Sequence, residues 1–176
     1  MEKPARVDGD FIDGVVEEWG RELPELDVRG LMVGGRILVL SKHIEKRVDR
    51  YLDRFGVQIW GFDVLASLRR SGPPYTQTPK QLMYTCFLTS GAVTNRVNRL
   101  EAAGLVTRAN DTEDRRSVNV TLTPKGQALV EEAMVDRISH MKDVFSALTA
   151  KEGETLAGLL RKLMLRFEQL EEDARS

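Results

Sequence analysis

Apolar positions recur at helical spacing over most of this chain, and strict alternation is confined to a short stretch near residue 120. Phe11, Ile12, Val15, Val16, Trp19 and Leu23 outline a short amphipathic helix, with Asp8 or Asp10 as its N-cap and Pro24 beyond its end. Ile37, Leu40, Ile44, Val48, Tyr51 and Phe55 step by three or four along a longer helix from about Val28 to Phe55, which Gly56 stops. Gly30, Gly34 and Gly35 weaken its start. A third helix, Gly61 to about Arg70, ends in the breaker run Ser71-Gly72-Pro73-Pro74.

Thr78-Pro79 then sets an N-cap hydroxyl before a proline at the first helical position, where the missing N–H costs nothing. A short helix from Lys80 to about Tyr84 follows, then a turn around Cys86 to Leu88. Thr89 or Ser90 caps a further helix that runs to Ala103 and closes at Gly104. Two helices across so short a turn form a helix-turn-helix. Leu105 to Arg108 reads as a strand, 109–114 as a polar turn, and Val118, Val120 and Leu122 alternate with Asn119 and Thr121 as a half-buried return strand. A hairpin directly after the second helix is a wing. Thr123-Pro124 starts a long helix carrying Leu129, Ala133, Ile138, Met141, Val144, Phe145 and Leu148. Thr149 and Glu152 form a capping box for a last helix striped by Leu156, Leu159, Leu160, Leu163, Phe167 and Leu170.

The pattern therefore predicts a mainly α fold with a small β-hairpin wing: a winged helix-turn-helix domain plus a helical dimerisation region formed by the N- and C-terminal helices. Residues 1–56 supply N-terminal helices that contribute to dimerisation, 57–123 form the winged helix-turn-helix domain, and 124–176 form the C-terminal dimerisation helices. The stripes on the terminal helices exceed what one small lobe needs, so a homodimer is expected.

Composition sharpens this picture mainly through charge. The net charge is only −1, but residues 1–28 hold nine acids against three bases and residues 131–176 ten against seven. Between Val64 and Leu100 there is no Asp or Glu, while Arg69, Arg70, Lys80, Arg96 and Arg99 are present. Fields in salt decay over about 10 Å, so the local face decides affinity for a polyanion. One cysteine precludes an internal disulfide framework, and the apolar runs, such as Ile37 to Leu40, are too short to span a bilayer. With no export signal visible, a cytoplasmic location without membrane association is expected.

At 100° per residue Val93, Val97 and Leu100 share one face, which leaves Asn95 and Asn98 pointing outward with Thr94 and Arg99 flanking and Ser90 at the helix start. Asn suits the edge of adenine and Arg that of guanine, and each bidentate contact discriminates by about 1–3 kcal/mol. These positions also suit a plain solvated helix face. The wing tip adds Asp114, Arg115 and Arg116.

Thr94-Asn95-Arg96, Arg99-Leu100-Glu101, Gly104-Leu105-Val106, Asp114-Arg115-Arg116-Ser117 and Leu122-Thr123-Pro124-Lys125-Gly126 together resemble the MarR family of bacterial regulators, over roughly Leu31 to Leu170. The resemblance implies a homodimer with two winged lobes astride a pseudo-palindromic duplex, repressing until a small effector binds. It also implies that Asp114 orients Arg116 toward a minor groove, although such a pair is equally a surface ion pair. The chain is most similar to the urate-responsive branch, which carries an additional N-terminal helix bearing a tryptophan. That likeness implies effector-binding roles for Trp19, Asp63 and Arg96, and for Thr94 where the branch has serine. An aromatic plane, a guanidinium and a carboxylate suit a flat anionic purine. Phenolic or carboxylate ligands suit the same chemistry, and a protein-interaction module that has lost DNA binding is the remaining alternative. The residues alone also allow Trp19 to anchor its helix, Asp63 to cap or pair internally, and Arg96 to meet phosphate. Thr94 lies about 160° around the helix from Arg96.

No catalytic residues, metal site or cofactor are expected. Cys86 sits in the hydrophobic turn and reads as a buried structural thiol, and His43 and His140 are far apart without cysteine partners.

Overall fold

The computed structural model describes residues 9–110 and 118–174. Its elements in chain order are α1 (Phe11–Glu22), α2 (Arg29–Leu52), a 3-10 turn (Asp53–Phe55), α3 (Ile59–Arg70), β1 (Thr76–Gln77), α4 (Pro79–Thr85), α5 (Ser90–Ala102), β2 (Val106–Asn110), β3 (Val118–Leu122), α6 (Pro124–Phe145) and α7 (Ala150–Asp173). The chain forms two compact units, Met1–Gln127 and Ala128–Ser176. The fold is a mainly helical winged helix-turn-helix with a small antiparallel sheet.

In the first unit, α3 is the central post. Gly61, Phe62 and every residue from Val64 to Leu68 are buried, so this helix is apolar almost all round, and its start, two residues before the expected Gly61, carries no periodic mark. Around it lie Leu82 of α4, Val93, Val97 and Leu100 of α5, and Val106, Val120 and Leu122 of the sheet, all buried. Full burial of each large side chain contributes about 1.5–3 kcal/mol. Gly61 lets α5 come close: a Cβ there would meet Leu100 Cδ2 at 3.4 Å.

The sheet order is β1-β3-β2, antiparallel throughout, with Val106 opposite Leu122 and Asn110 opposite Val118. Strand β1 is a finding that periodicity missed, since two residues cannot display alternation. It follows the Gly72–Pro74 breaker run and pairs Thr76 with Thr121, whose hydroxyls lie 2.8 Å apart. Next in the chain, buried Gln77 donates from Nε2 to the Ser67 carbonyl (2.9 Å) and closes a polar triangle with the Ser67 and Thr85 hydroxyls. This knot ties α3, β1 and α4 together, so that no polar group among the three is buried without a partner.

The long second helix ends at Leu52 rather than Phe55; the last three residues tighten into the 3-10 turn before Gly56 at φ 66°. Its glycines do not delay its start. Gly35 instead admits α1, for an added Cβ would lie 3.0 Å from Ile12 Cδ1. Of the two candidate caps for α1, Asp10 serves. It accepts the Ile12 and Asp13 N–H groups and donates its own N–H to Asp13 Oδ2. Arg36 of α2 grips both carboxylates, from Nε to Asp10 (2.8 Å) and from Nη2 to Asp13 (2.6 Å).

In the second unit α7 starts at Thr149, whose N–H donates to Glu152 Oε2 (2.8 Å) while Glu152 N–H returns to the Thr149 hydroxyl (3.3 Å). None of its described residues is buried, and Leu156, Leu159, Leu160, Leu163, Phe167 and Leu170 are 38–68% exposed. Among the described residues no helix is long and apolar enough to cross a membrane.

Candidate nucleic-acid interface

Helix α4 starts where Thr78 accepts the Gln81 N–H on its hydroxyl (3.3 Å) and donates its own N–H to Gln81 Oε1 (2.7 Å), with Pro79 at the first helical position. Of the two caps considered for α5, Thr89 is used, its hydroxyl accepting the Ala92 N–H (3.3 Å). Ser90 is therefore the first helical residue. The turn between the helices spans Cys86 to Thr89.

Val93, Val97 and Leu100 are each 2% exposed or less, so one face of α5 is sealed into the core as the spacing predicts. Ser90, Thr94, Asn95, Asn98 and Arg99 are all exposed. Thr94 donates its hydroxyl to the Ser90 carbonyl (3.1 Å), which leaves its oxygen the capacity to accept. The Arg99 guanidinium stands 5.6 Å over the Trp60 ring, and the Trp60 indole N–H donates to Gln58 Oε1 (2.5 Å). Trp60 and Gln58 lie in the first turn of α3 and at its cap, and periodicity offers no sign that they serve the α5 face.

The wing is fastened to α5 at its base. Arg108 of β2 donates from Nε and Nη2 to Glu101 Oε2 (2.9 and 2.5 Å), and its backbone N–H reaches Glu101 Oε1 (3.1 Å). The Arg108 guanidinium holds the Glu101 carboxyl below its ordinary value. Behind it the Thr123 hydroxyl donates to the Gly104 carbonyl and Lys125 Nζ to the Ala103 carbonyl, both at 2.8 Å. Strand β2 begins one residue later and runs two residues further than expected, to Asn110, because cross-strand bonding to Val118 continues it. The tip residues Asp114, Arg115 and Arg116 lie outside the described residues.

The four effector candidates sit on three helices. Trp19 is 47% exposed on α1, which is held to α2 by Ile12, Asp10 and Asp13. Asp63 and Arg96 are half-buried on α3 and α5, two helices that pack directly. Thr94 is exposed where Arg96 is half-buried, as the helical projection requires. Cys86 is half-buried rather than buried, and its thiol lies 3.7 Å from the Asp63 carbonyl oxygen. Among the described residues no group of three His, Cys, Asp or Glu side chains is placed to hold a metal ion.

Comparison with known proteins agrees with this architecture. Residues 55–117 match the model of the MarR family. The HTH-type transcriptional regulator PecS of Dickeya dadantii is 32% identical over 152 residues, 86% of this chain and 92% of that protein. The transcriptional repressor MprA of Escherichia coli is 30% identical over 135 residues, covering 76% of this chain and 74% of that protein. Among solved structures, a mutant MarR from E. coli complexed with operator DNA superposes with a TM-score of 0.69 at 27% identity, over 82% of this chain and 96% of that one. Bordetella bronchiseptica BpsR, whose DNA binding is regulated by 6-hydroxynicotinic acid, gives 0.68 at 27% identity over 75% and 92%. With the sealed and open faces of α5, the hairpin behind it and a relative 32% identical over 92% of its own length, the chain belongs to the MarR family of transcriptional regulators.

Proposed function

We propose that the protein is a homodimeric, effector-responsive regulator that binds a pseudo-palindromic operator through α5 and the wing, and that it acts as a repressor. The observation that carries this reading is the exposed row Thr94, Asn95, Asn98 and Arg99 opposite the buried Val93, Val97 and Leu100. A helix sealed on one side and lined with amides, a hydroxyl and a guanidinium on the other is built to meet base edges in a major groove. The absence of any acid between Val64 and Leu100 supports it, since a duplex repels carboxylates and rewards each neutralised phosphate by counterion release. The operator-bound state of the E. coli relative is consistent with the same use here. Arg116, oriented by Asp114 toward a minor groove, and Arg115 beside it complete the reading as wing contacts to the duplex.

The test is a gel-shift titration on the gene's own upstream DNA against a scrambled fragment. The wild-type protein prefers the former, and Asn95→Ala or Asn98→Ala loses affinity about 5- to 150-fold, which is 1–3 kcal/mol per contact. Equal binding to both fragments overturns the reading.

The effector in this proposal is a flat, anionic aromatic molecule, a urate-like purine or an aromatic carboxylate. Support comes from the exposed indole of Trp19, from Asp63 and Arg96 on adjoining helices, and from a relative regulated by a hydroxylated aromatic acid. Thr94 belongs with the DNA face rather than with this set, because it projects to the other side of α5. Thermal-shift screening with urate, xanthine and salicylate should show stabilisation by at least one, reduced in Arg96→Ala; no response to any anion removes the pocket from the proposal.

A further inference from the structure

Both helices of the helix-turn-helix end on one template. After α5, Gly104 takes φ 70°, its N–H reaches the Glu101 carbonyl, and the Leu105 N–H reaches the Leu100 carbonyl, both at 2.9 Å. After α4, Phe87 takes φ 54°, its N–H faces the Tyr84 carbonyl at 3.5 Å, and the Leu88 N–H reaches the Met83 carbonyl at 2.9 Å. This left-handed helix stop favours glycine because a side chain there crowds its own backbone. Among the described residues, the left-handed positions are Gly56, Gly72, Gly104, Tyr75 and Phe87. Tyr75 is held there by its surroundings: it is half-buried beneath the Arg69 guanidinium, its N–H donates to Gly72 (2.7 Å), and its carbonyl accepts from Leu122 (3.1 Å).

Phe87 has no such account. Its side chain stands in water, 86% exposed, beside Tyr84, 85% exposed on the last turn of α4. A bulky ring in a conformation it resists, gaining almost nothing by burial, is a cost to the fold twice over. Strain kept at an exposed residue points to use. Its place says which use: it lies two residues before the Thr89 cap of α5, at the end of a recognition helix that meets bases first, within the acid-free stretch. A phenyl ring carries no hydrogen-bonding atom, and the apolar group offered by base edges in the major groove is the C5-methyl of thymine.

We propose that Phe87 is a base-reading residue, its ring packing on a thymine methyl at the edge of each half-site. The inference rests on the DNA-binding reading above and adds to it a preference that the polar face of α5 does not supply.

Phe87→Gly separates the two roles, because relief of the left-handed strain should stabilise the fold while binding suffers. Expected are a Tm higher by about 2–4 °C, affinity for the footprinted upstream duplex lower by about tenfold, and an unchanged slope of affinity against salt, since no phosphate contact is lost. Repeating the titration on a duplex with deoxyuridine for thymine should weaken the wild-type protein and leave Phe87→Gly much less affected. Unchanged affinity in Phe87→Gly, or the same thymine preference in both proteins, overturns the inference while the wild-type preference for its own upstream DNA keeps the DNA-binding reading standing. Loss of the dimer in Phe87→Gly, read by sedimentation, assigns the ring to a subunit surface and equally overturns it. A wild-type protein indifferent to its upstream DNA ends both.

Discussion

Gly126 has no room for a side chain: an added Cβ would lie 2.1 Å from the Leu105 carbonyl oxygen and 3.1 Å from Leu122 Cδ1. The neighbour is backbone, which cannot swing aside, and that same carbonyl accepts the Thr123 N–H (3.1 Å). Gly126→Ala should therefore prise the start of α6 from the base of the wing, at a cost of about 1–3 kcal/mol or more, and lower the midpoint of thermal unfolding by at least roughly 2–4 °C. Gly91→Ala is the control, since nothing lies within 4 Å of a Cβ there and the exchange within a helix favours folding by up to about 1 kcal/mol. Equal midpoints for the two variants would refute the close approach as the reason for this glycine. Some single residues are thus explained only by contact with distant chain. Gln77 and Ser67 are of this kind: a buried amide and hydroxyl look like loop residues until they find each other across ten positions.

The elements themselves were largely legible, and where they were not the reason is local. The sealed face of α5 could be read because its three apolar residues repeat at intervals of four and three and nothing else on the helix competes. The caps Asp10, Thr78 and Thr149 could be read because a short acceptor side chain before a helical run has one common use. Strand β1 and the true start of α3 could not, one being too brief and the other too uniformly apolar. The left-handed stop at Phe87 gave no sign, because phenylalanine is not a residue that marks such a turn. Nor could the grip of Arg36 on α1 be foreseen, for its partners are 23 and 26 positions away. That grip has a pH consequence. The Arg36 guanidinium, with the Asp10 N–H assisting, holds the Asp13 carboxyl below its ordinary value. The contribution of this pair is complete above the ordinary carboxylate range and is lost as pH falls through the depressed value in the folded state. Helix α1 should then loosen in acid before the rest of the first unit, seen as faster proteolysis or amide exchange over 11–22, and Asp13→Asn should show the same looseness already at neutral pH. Uniform exchange across both units at every pH would contradict it.

At the scale of the whole molecule, the unanswered face is that of α7. Six large apolar side chains run down it without a buried residue among them, a stripe that one chain leaves to water and that two could bury together. If this stripe joins two copies, Leu163→Glu combined with Leu160→Glu should give a monomer by sedimentation. Each monomer would keep its own α5 yet bind its upstream DNA at least about a hundredfold more weakly, because only the linked pair engages both half-sites at once. A double variant that remains dimeric would move the subunit contact to another surface. The sealed and open faces of α5 and the hairpin behind it could be read from one chain, and so could the surplus of leucine on α7 from which a homodimer is expected; which surface of a second copy would meet that stripe leaves no mark on the pattern.

The pairing of Arg99 with Trp60 has an optical consequence. The chain has two tryptophans, one on α1 and one beneath a guanidinium on the face we assign to the duplex. With Trp19→Phe, the remaining indole becomes an intrinsic fluorophore whose emission follows whether Arg99 stays over its ring or leaves for a base. The protein thus carries its own label where the encounter with DNA would be felt, and occupancy could be followed in real time without a dye.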